Sequence, residues 1–217
     1  GLKNQVGLFK MPERVITDSS WLSTLPWPLV RDGLAEVVKT AMLDGRECYE
    51  ACLELPDRPD AASLGPLALR AAAFKQEIVD RDPREQGLRR ILNLGHTAGH
   101  AFESLAARRG VTLSHGEAVA HGIAVALALS RKLLNASPAL LDVYAARILL
   151  RFYNPLPTAV RDADALMEIM AHDKKNPAYG KISFILLRDV GEPETMVADA
   201  AEIKQALADV ILIRDKR

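Results

Sequence analysis

The sequence is short of the features that most readily commit a chain to a class. Aromatic residues make up 5% of it, and charge is balanced, with 28 Lys and Arg against 28 Asp and Glu. That balance gives no global field to attract nucleic acid or an anionic membrane, so an anionic ligand must be held by a local basic cluster. The two cysteines, Cys48 and Cys52, have a spacing that suits neither a zinc ribbon nor a secreted disulfide framework. Both read as core or surface thiols. The apolar run Ile123 to Leu129 falls well short of the roughly 20 residues needed to span a bilayer. No leader-like segment opens the sequence, which predicts a soluble, cytoplasmic chain. There is no GxGxxG after a strand and no Walker loop, so these residues do not by themselves build a complete dinucleotide site.

What the sequence does contain is mostly helix-forming. It has 217 residues, enough for one domain or slightly more and for a sizeable core. Apolar spacing predicts helices over 29–43, 46–55, 67–80, 93–108, 115–134, 138–152, 164–170 and 200–213. Gly45 is a plausible cap, and Pro56 and Pro59 close the second helix. The segment from Asp57 to Gly65 reads as the most loop-like stretch. Lys181 to Arg188 alternates as a strand and can pair with Glu194 to Val197 as a hairpin. Val15 to Thr17 reads as a short buried strand with no partner nearby, as though it were the trailing edge of something upstream. The expectation is a mainly α domain with one small hairpin.

Chemistry concentrates in Asn93-Leu94-Gly95-His96-Thr97-Ala98-Gly99-His100-Ala101-Phe102-Glu103. His96 and His100 share one helix face, and His115 follows at the apparent start of the next helix. A catalytic metal site needs three protein ligands and open positions for substrate or water. His96 and His115 supply two, and Glu36, an acid within an apolar helix, is the best third. Lys39 lies one turn on, so the spacing is equally compatible with a solvated Glu–Lys pair. Arg89 and Asn93 are one turn apart just before His96, and the Arg89 guanidinium suits a phosphate or carboxylate. Lys75 and Glu85 read from spacing as ordinary solvated charges, and so do Lys174 and Lys175 on a polar turn. His121 and His172 read as structural.

Taken in order, Gly33-x-Ala35-Glu36-Val37-x-Lys39, Arg89-x3-Asn93-Leu94-Gly95-His96-Thr97-x-Gly99-His100-Ala101, His115-Gly116-Glu117-Ala118-Val119 and Asp173-Lys174-Lys175 resemble the C-terminal half of the 3-dehydroquinate synthase family. Each piece alone is weak, but the ordered set is highly specific and the resemblance covers essentially the whole chain. It implies a multi-helix C-terminal domain with a small β-hairpin, whose N-terminal Rossmann-like NAD domain is missing. On that division, 1–27 is a linker and strand remnant of the NAD domain, and 28–217 is the helical metal- and substrate-binding domain.

The resemblance further implies that Glu36, His96 and His115 bind zinc, with Co2+ as an alternative. Lys39, Lys75, Arg89, Asn93, His100 and Lys174 would surround a sugar-phosphate substrate, and Glu85 falls where the family places a possible proton acceptor. Lys3 and Asn4 match a stretch near the nicotinamide, although Leu2 replaces part of the usual pattern. Trp21, Leu22, Ser23 and Thr24 match further NAD contacts. The implied reaction converts 3-deoxy-D-arabino-heptulosonate 7-phosphate to 3-dehydroquinate and phosphate in the shikimate pathway, with NAD as transient oxidant and a homodimer as the assembly. The family's glycine-rich NAD loops have no counterpart here, so the chain is expected to be inactive alone. Three competing readings are a sister sugar-phosphate cyclase, a metal-dependent alcohol or glycerol-phosphate dehydrogenase, and a non-catalytic helical metal-binding module. The retained Asn93 and His100 disfavour the valiolone type of cyclase, and the Glu36-with-Lys39 signature disfavours the dehydrogenase.

Overall fold

The computed structural model describes residues 10, 12–171 and 181–215. A 3-10 turn, Ser19–Thr24, begins with the Asp18 carboxylate accepting from the Ser20 N–H at 2.9 Å. Helix α1 (Trp27–Asp44) carries Pro28 in its first turn, where a missing N–H costs nothing, and stops at Gly45, whose φ is 142°. It buries Val30, Leu34, Val37, Val38 and Ala41 along one stripe. Helix α2 (Arg46–Leu53) carries Cys48, half-buried, and Cys52, buried, both as free thiols.

Helix α3 (Ala61–Arg81) starts inside the stretch expected to be loop. The reason is a capping box: Asp60 accepts from the Ser63 N–H at 2.8 Å, and Ser63 accepts from the Asp60 N–H at 3.0 Å. Pro66 sits within the second turn, where it removes one backbone bond but does not break the helix. The short strand expected at Val15 to Thr17 does not form. Without a neighbouring strand its backbone has no ladder to join, and Val15 and Ile16 are exposed.

Helices α4 (His96–Arg108) and α5 (His115–Leu133) form the centre. From Gly116 to Ser130 every residue of α5 except Glu117 is buried, the mark of a helix enclosed on all sides. Around it lie α1, α4, α6 (Pro138–Tyr144), the closing helix α9 (Ala200–Asp215) and the hairpin. A π-turn, Ala145–Leu149, continues α6 into the short α7 (Leu150–Phe152), and α8 (Ala163–Ala171) packs on α4 and α9. Strands β1 (Lys181–Leu187) and β2 (Pro193–Asp199) pair antiparallel, with Lys181 opposite Asp199 and Leu187 opposite Pro193. Ser130 ties β1 to α5: its hydroxyl accepts from the Leu187 N–H at 2.9 Å and donates to the Ala126 carbonyl at 2.8 Å. Among the described residues no helix is long and apolar enough to cross a membrane.

Two glycines set how closely α4 and α5 approach. Gly95 has φ 76°, and a Cβ there would lie 2.6 Å from Ile123 Cγ1. A Cβ on Gly122 would lie 2.0 Å from the Gly95 carbonyl oxygen, closer than any atom tolerates. The helices meet backbone to backbone, and this brings the first turn of α4 beside α5.

Candidate metal centre

Three helices deliver the site. Glu36 comes from the middle of α1, His96 from the first residue of α4 and His115 from the first residue of α5. The start of α5 is fixed locally by a capping box between Ser114 and Glu117. It is also pinned to α1. The Asp32 carboxylate accepts from the Gly116 N–H at 2.5 Å, and Arg31 pairs with Glu117 at 2.8 Å. Gly116 must be a glycine at this contact, because a Cβ would sit 2.0 Å from the Asp32 carbonyl oxygen.

The two oxygens of Glu36 have different surroundings. Oε2 accepts from the Lys39 ammonium at 2.8 Å and from Lys75 at 3.3 Å. Oε1 is buried and makes no hydrogen bond, yet it faces His96 Nε2 at 3.4 Å and His115 Nε2 at 3.7 Å. Burial would raise the Glu36 pKa, but Lys39, His96 and Lys75 outweigh it and bring the value down to about 2. Lys39 itself is 2% exposed, and burial pushes its ammonium below the ordinary value against the pull of Glu36. The Glu36–Lys39 pair therefore exists, but with Lys39 buried and Glu36 partly buried it is not the freely solvated pair that spacing alone allows.

His96 is held neutral. Burial first, then the nearby Lys39 charge, lowers its pKa to about 4. Its Nδ1 is within hydrogen-bond reach of the Leu94 carbonyl at 3.2 Å, whereas Nε2, 3.4 Å from Glu36 Oε1, makes no hydrogen bond to it. This geometry favours the tautomer with the proton on Nδ1 and the lone pair on Nε2, facing Glu36. A buried carboxylate oxygen without a donor and an imidazole lone pair aimed at it leave a proton-free gap that a cation satisfies. The donor set of two imidazoles and one carboxylate suits zinc, cobalt or manganese, so the residues present fit a divalent metal.

His100 stands beside this group, its ring centroid 5.2 Å from that of His96 and 6.2 Å from that of His115. Of the expected substrate residues, the structure thus gathers Lys39, Lys75 and His100 around the Glu36, His96 and His115 set. Glu85, Arg89 and Asn93 form a second group in the loop and 3-10 turn (Leu88–Asn93) leading into α4, a turn that packs on α1 and α3. Asn93 donates to Glu85 at 3.0 Å, Arg89 donates to the Pro83 carbonyl at 3.0 Å, and Glu85 has φ 55°. Trp21, Leu22, Ser23 and Thr24 lie on the first 3-10 turn, which packs on α3, with Trp21 exposed. Lys3, Asn4, His172, Lys174 and Lys175 fall outside the described residues. His121 is buried, its Nε2 2.9 Å from the Asn154 carbonyl, in keeping with a structural reading.

Three residues without an assigned role in the sequence reading help build the site. Asp82 accepts from the backbone N–H groups of Gln86, Gly87 and Arg89, and so shapes the loop that carries Glu85 and Arg89. Asp32 joins α1 to α5. Glu103 lies with its carboxylate 3.2 Å from His115 Nδ1. For Glu103 a signal existed: it is one helical turn beyond His100 and two beyond His96, on the same face of α4.

A family-level sequence model described as 3-dehydroquinate synthase C-terminal matches residues 33–176. The chain belongs to the 3-dehydroquinate synthase family. Curated relatives of that name include one from Parabacteroides distasonis, 40% identical over 88% of this chain and 54% of its own length. Another, from Xanthomonas campestris pv. campestris, is 39% identical over 95% of this chain and 58% of its own. A third, from Thermococcus kodakarensis, is 36% identical over 94% and 56%. The chain spans about half the length of these relatives.

Among solved structures, a 2-deoxy-scyllo-inosose synthase complexed with carbaglucose-6-phosphate, NAD+ and Co2+ matches 95% of this chain and 59% of its own, with TM-score 0.77 and 23% identity. A 2-epi-5-epi-valiolone synthase from Streptomyces hygroscopicus subsp. jinggangensis, with NAD+ and Zn2+ bound, matches 89% and 54% with TM-score 0.66 and 23% identity. At that identity the likeness establishes the shared fold of dehydroquinate synthase-like cyclases, here their C-terminal domain.

Proposed function

We propose that this chain is the cation- and substrate-holding part of a 3-dehydroquinate synthase, a lyase of the shikimate pathway. The observation that carries the reading is the convergence of His96 Nε2 and His115 Nε2 on the undonated Glu36 Oε1. Glu36, His96 and His115 hold one Zn2+ in this proposal, with Co2+ as an alternative. Lys39, Lys75, Arg89, Asn93, His100 and Lys174 line the sugar-phosphate site. Lys3, Asn4 and Trp21 to Thr24 belong to the NAD side, whose remaining residues lie outside these 217. A cytoplasmic location and a homodimer belong to the same proposal.

The substrate is 3-deoxy-D-arabino-heptulosonate 7-phosphate, and the products are 3-dehydroquinate and phosphate. When bound, the metal would supply Lewis-acid polarisation of the substrate's hydroxyls, and the nicotinamide would supply transient hydride storage. The chain's own residues position and move protons. Lys39 and Lys75 keep Glu36 ionised and ready as a ligand. Lys75 and Arg89 neutralise the substrate's phosphate and carboxylate, which favours departure of phosphate. His100, at the exposed edge of the histidine group, takes the hydroxyl proton, and Glu85, oriented by Asn93, is a further acceptor.

A sister cyclase acting on glucose 6-phosphate is the second reading, since a carbaglucose-6-phosphate complex shares the fold. Curated relatives at 36% to 40% identity favour the first. Phosphate release assays on the enzyme containing this chain and an NAD-binding part discriminate the two. Turnover of the heptulosonate phosphate and not of glucose 6-phosphate is expected, and the reverse preference would contradict the assignment. The chain alone is expected not to turn over; steady turnover by it would contradict the proposed division of labour.

A further inference from the structure

The site contains two overlapping metal-capable triads that share one residue. Glu36, His96 and His115 form the first, and His100, Glu103 and His115 form the second. A neutral imidazole has one lone pair, so His115 serves whichever triad faces its unprotonated nitrogen. Its Nε2 faces Glu36 at 3.7 Å, and its Nδ1 faces Glu103 Oε2 at 3.2 Å. Both carboxylates can only accept, but the Glu103 oxygen is within hydrogen-bond reach of Nδ1, whereas the Glu36 oxygen is too far from Nε2 and receives no hydrogen bond.

We propose that Glu103 is a positioning residue: its carboxylate accepts the Nδ1 proton of His115 and so directs that ring's lone pair, on Nε2, toward Glu36 and His96 and away from His100. The arrangement parallels that of His96, whose Nδ1 is matched to the Leu94 carbonyl. Both rings then present the same nitrogen to the same carboxylate oxygen. Because Glu103 sits on α4 with His96 while His115 opens α5, the bond also crosses between the two helices that carry the histidine ligands. Outer partners of this type fix the orientation and raise the basicity of a ligating imidazole, and their loss weakens metal binding about 10- to 100-fold. The inference rests on the metal-site reading above, but its central observable does not require a metal.

That observable is the tautomer of His115 in the metal-free chain, read by long-range proton–nitrogen correlation of the imidazoles at a pH of about 8, above the ordinary imidazole range. The His115 signal is assigned by its absence in His115→Asn. The expected result is a proton on Nδ1 of His115, shifted toward Nε2 in Glu103→Leu. Zinc affinity, measured by chelator competition, is expected to fall about 10- to 100-fold in the same variant. Glu103→Gln retains an acceptor oxygen without the charge. It should keep most of the tautomer and give intermediate zinc affinity, while Glu103→Ala, which removes the acceptor without adding bulk, stands in for Glu103→Leu if that variant does not fold. A proton on Nε2 of His115 in the unsubstituted chain overturns the proposal, as does a tautomer unchanged by both substitutions. Correct tautomer behaviour in a chain that binds no zinc would refute the metal reading while supporting the role of Glu103.

Discussion

Glu36 and His96 each resist protonation in the folded chain, and both effects act on stability in the same direction. Between about pH 6.5 and pH 4 an unfolded chain protonates His96 while the folded one does not. Between about pH 4.5 and pH 2 the same holds for Glu36. In both windows the unfolded state binds more protons, so stability is full at neutral pH and falls as acid is added. For the metal-free chain, urea midpoints are expected to decline from pH about 6.5 downward. His96→Gln should flatten the upper window, a difference on the order of 2 kcal/mol. An unchanged profile in that variant would contradict the assignment of a neutral, enclosed His96. Lys39→Met tests the other side of the pair. It leaves Oε2 of Glu36 with Lys75 alone at 3.3 Å, and should cost about 1–3 kcal/mol at neutral pH. Adding Glu36→Gln should recover part of that loss, because the two positions are coupled; strictly additive losses would contradict the coupling.

At the scale of elements, the site depends on the backbone contact between α4 and α5. Gly122→Ala places a methyl 2.0 Å from the Gly95 carbonyl oxygen, so the helices must separate. A loss of about 3 kcal/mol in urea unfolding is expected. Gly33→Ala is the contrast: nothing lies within 4 Å of a Cβ there, and in the helix interior the substitution should add about 0.5–1 kcal/mol. Equal effects at the two glycines would contradict the close approach.

Much of this architecture was legible from local pattern. The apolar spacing located α4 and α5, and the hairpin followed from the alternation over Lys181 to Arg188 and a second strand-like run at Glu194 to Val197. Less legible was the start of α3, where Asp57 to Gly65 reads as loop although the Asp60–Ser63 box has already begun the helix. Val15 to Thr17 misled because β-like residues do not make a strand without a partner. Among the candidate residues, Glu36 could not be separated by spacing from a solvated pair. What distinguishes it, the burial of Lys39 and two histidines from other helices, depends on contacts across 39 to 86 positions such as Lys75 to Glu36 and Arg31 to Glu117. The same limit hid Asp32, whose partner Gly116 is 84 residues away.

For the molecule as a whole, balanced charge gives no long-range steering, and the Lys39 and Lys75 ammonium groups beside the candidate site are paired with Glu36. A cation that binds only the folded chain must also stabilise it by mass action. Zinc at about 100 times its dissociation constant should add about 2.7 kcal/mol to the unfolding free energy, and no shift at saturation would contradict a site assembled by folding. The most direct measurement is calorimetric titration of zinc into the metal-free chain beside Glu36→Ala. One ion per chain, bound much more weakly by the variant because a direct ligand is lost, is the result expected of Glu36, His96 and His115 around a single metal. Absence of binding, or binding undiminished in Glu36→Ala, would contradict it.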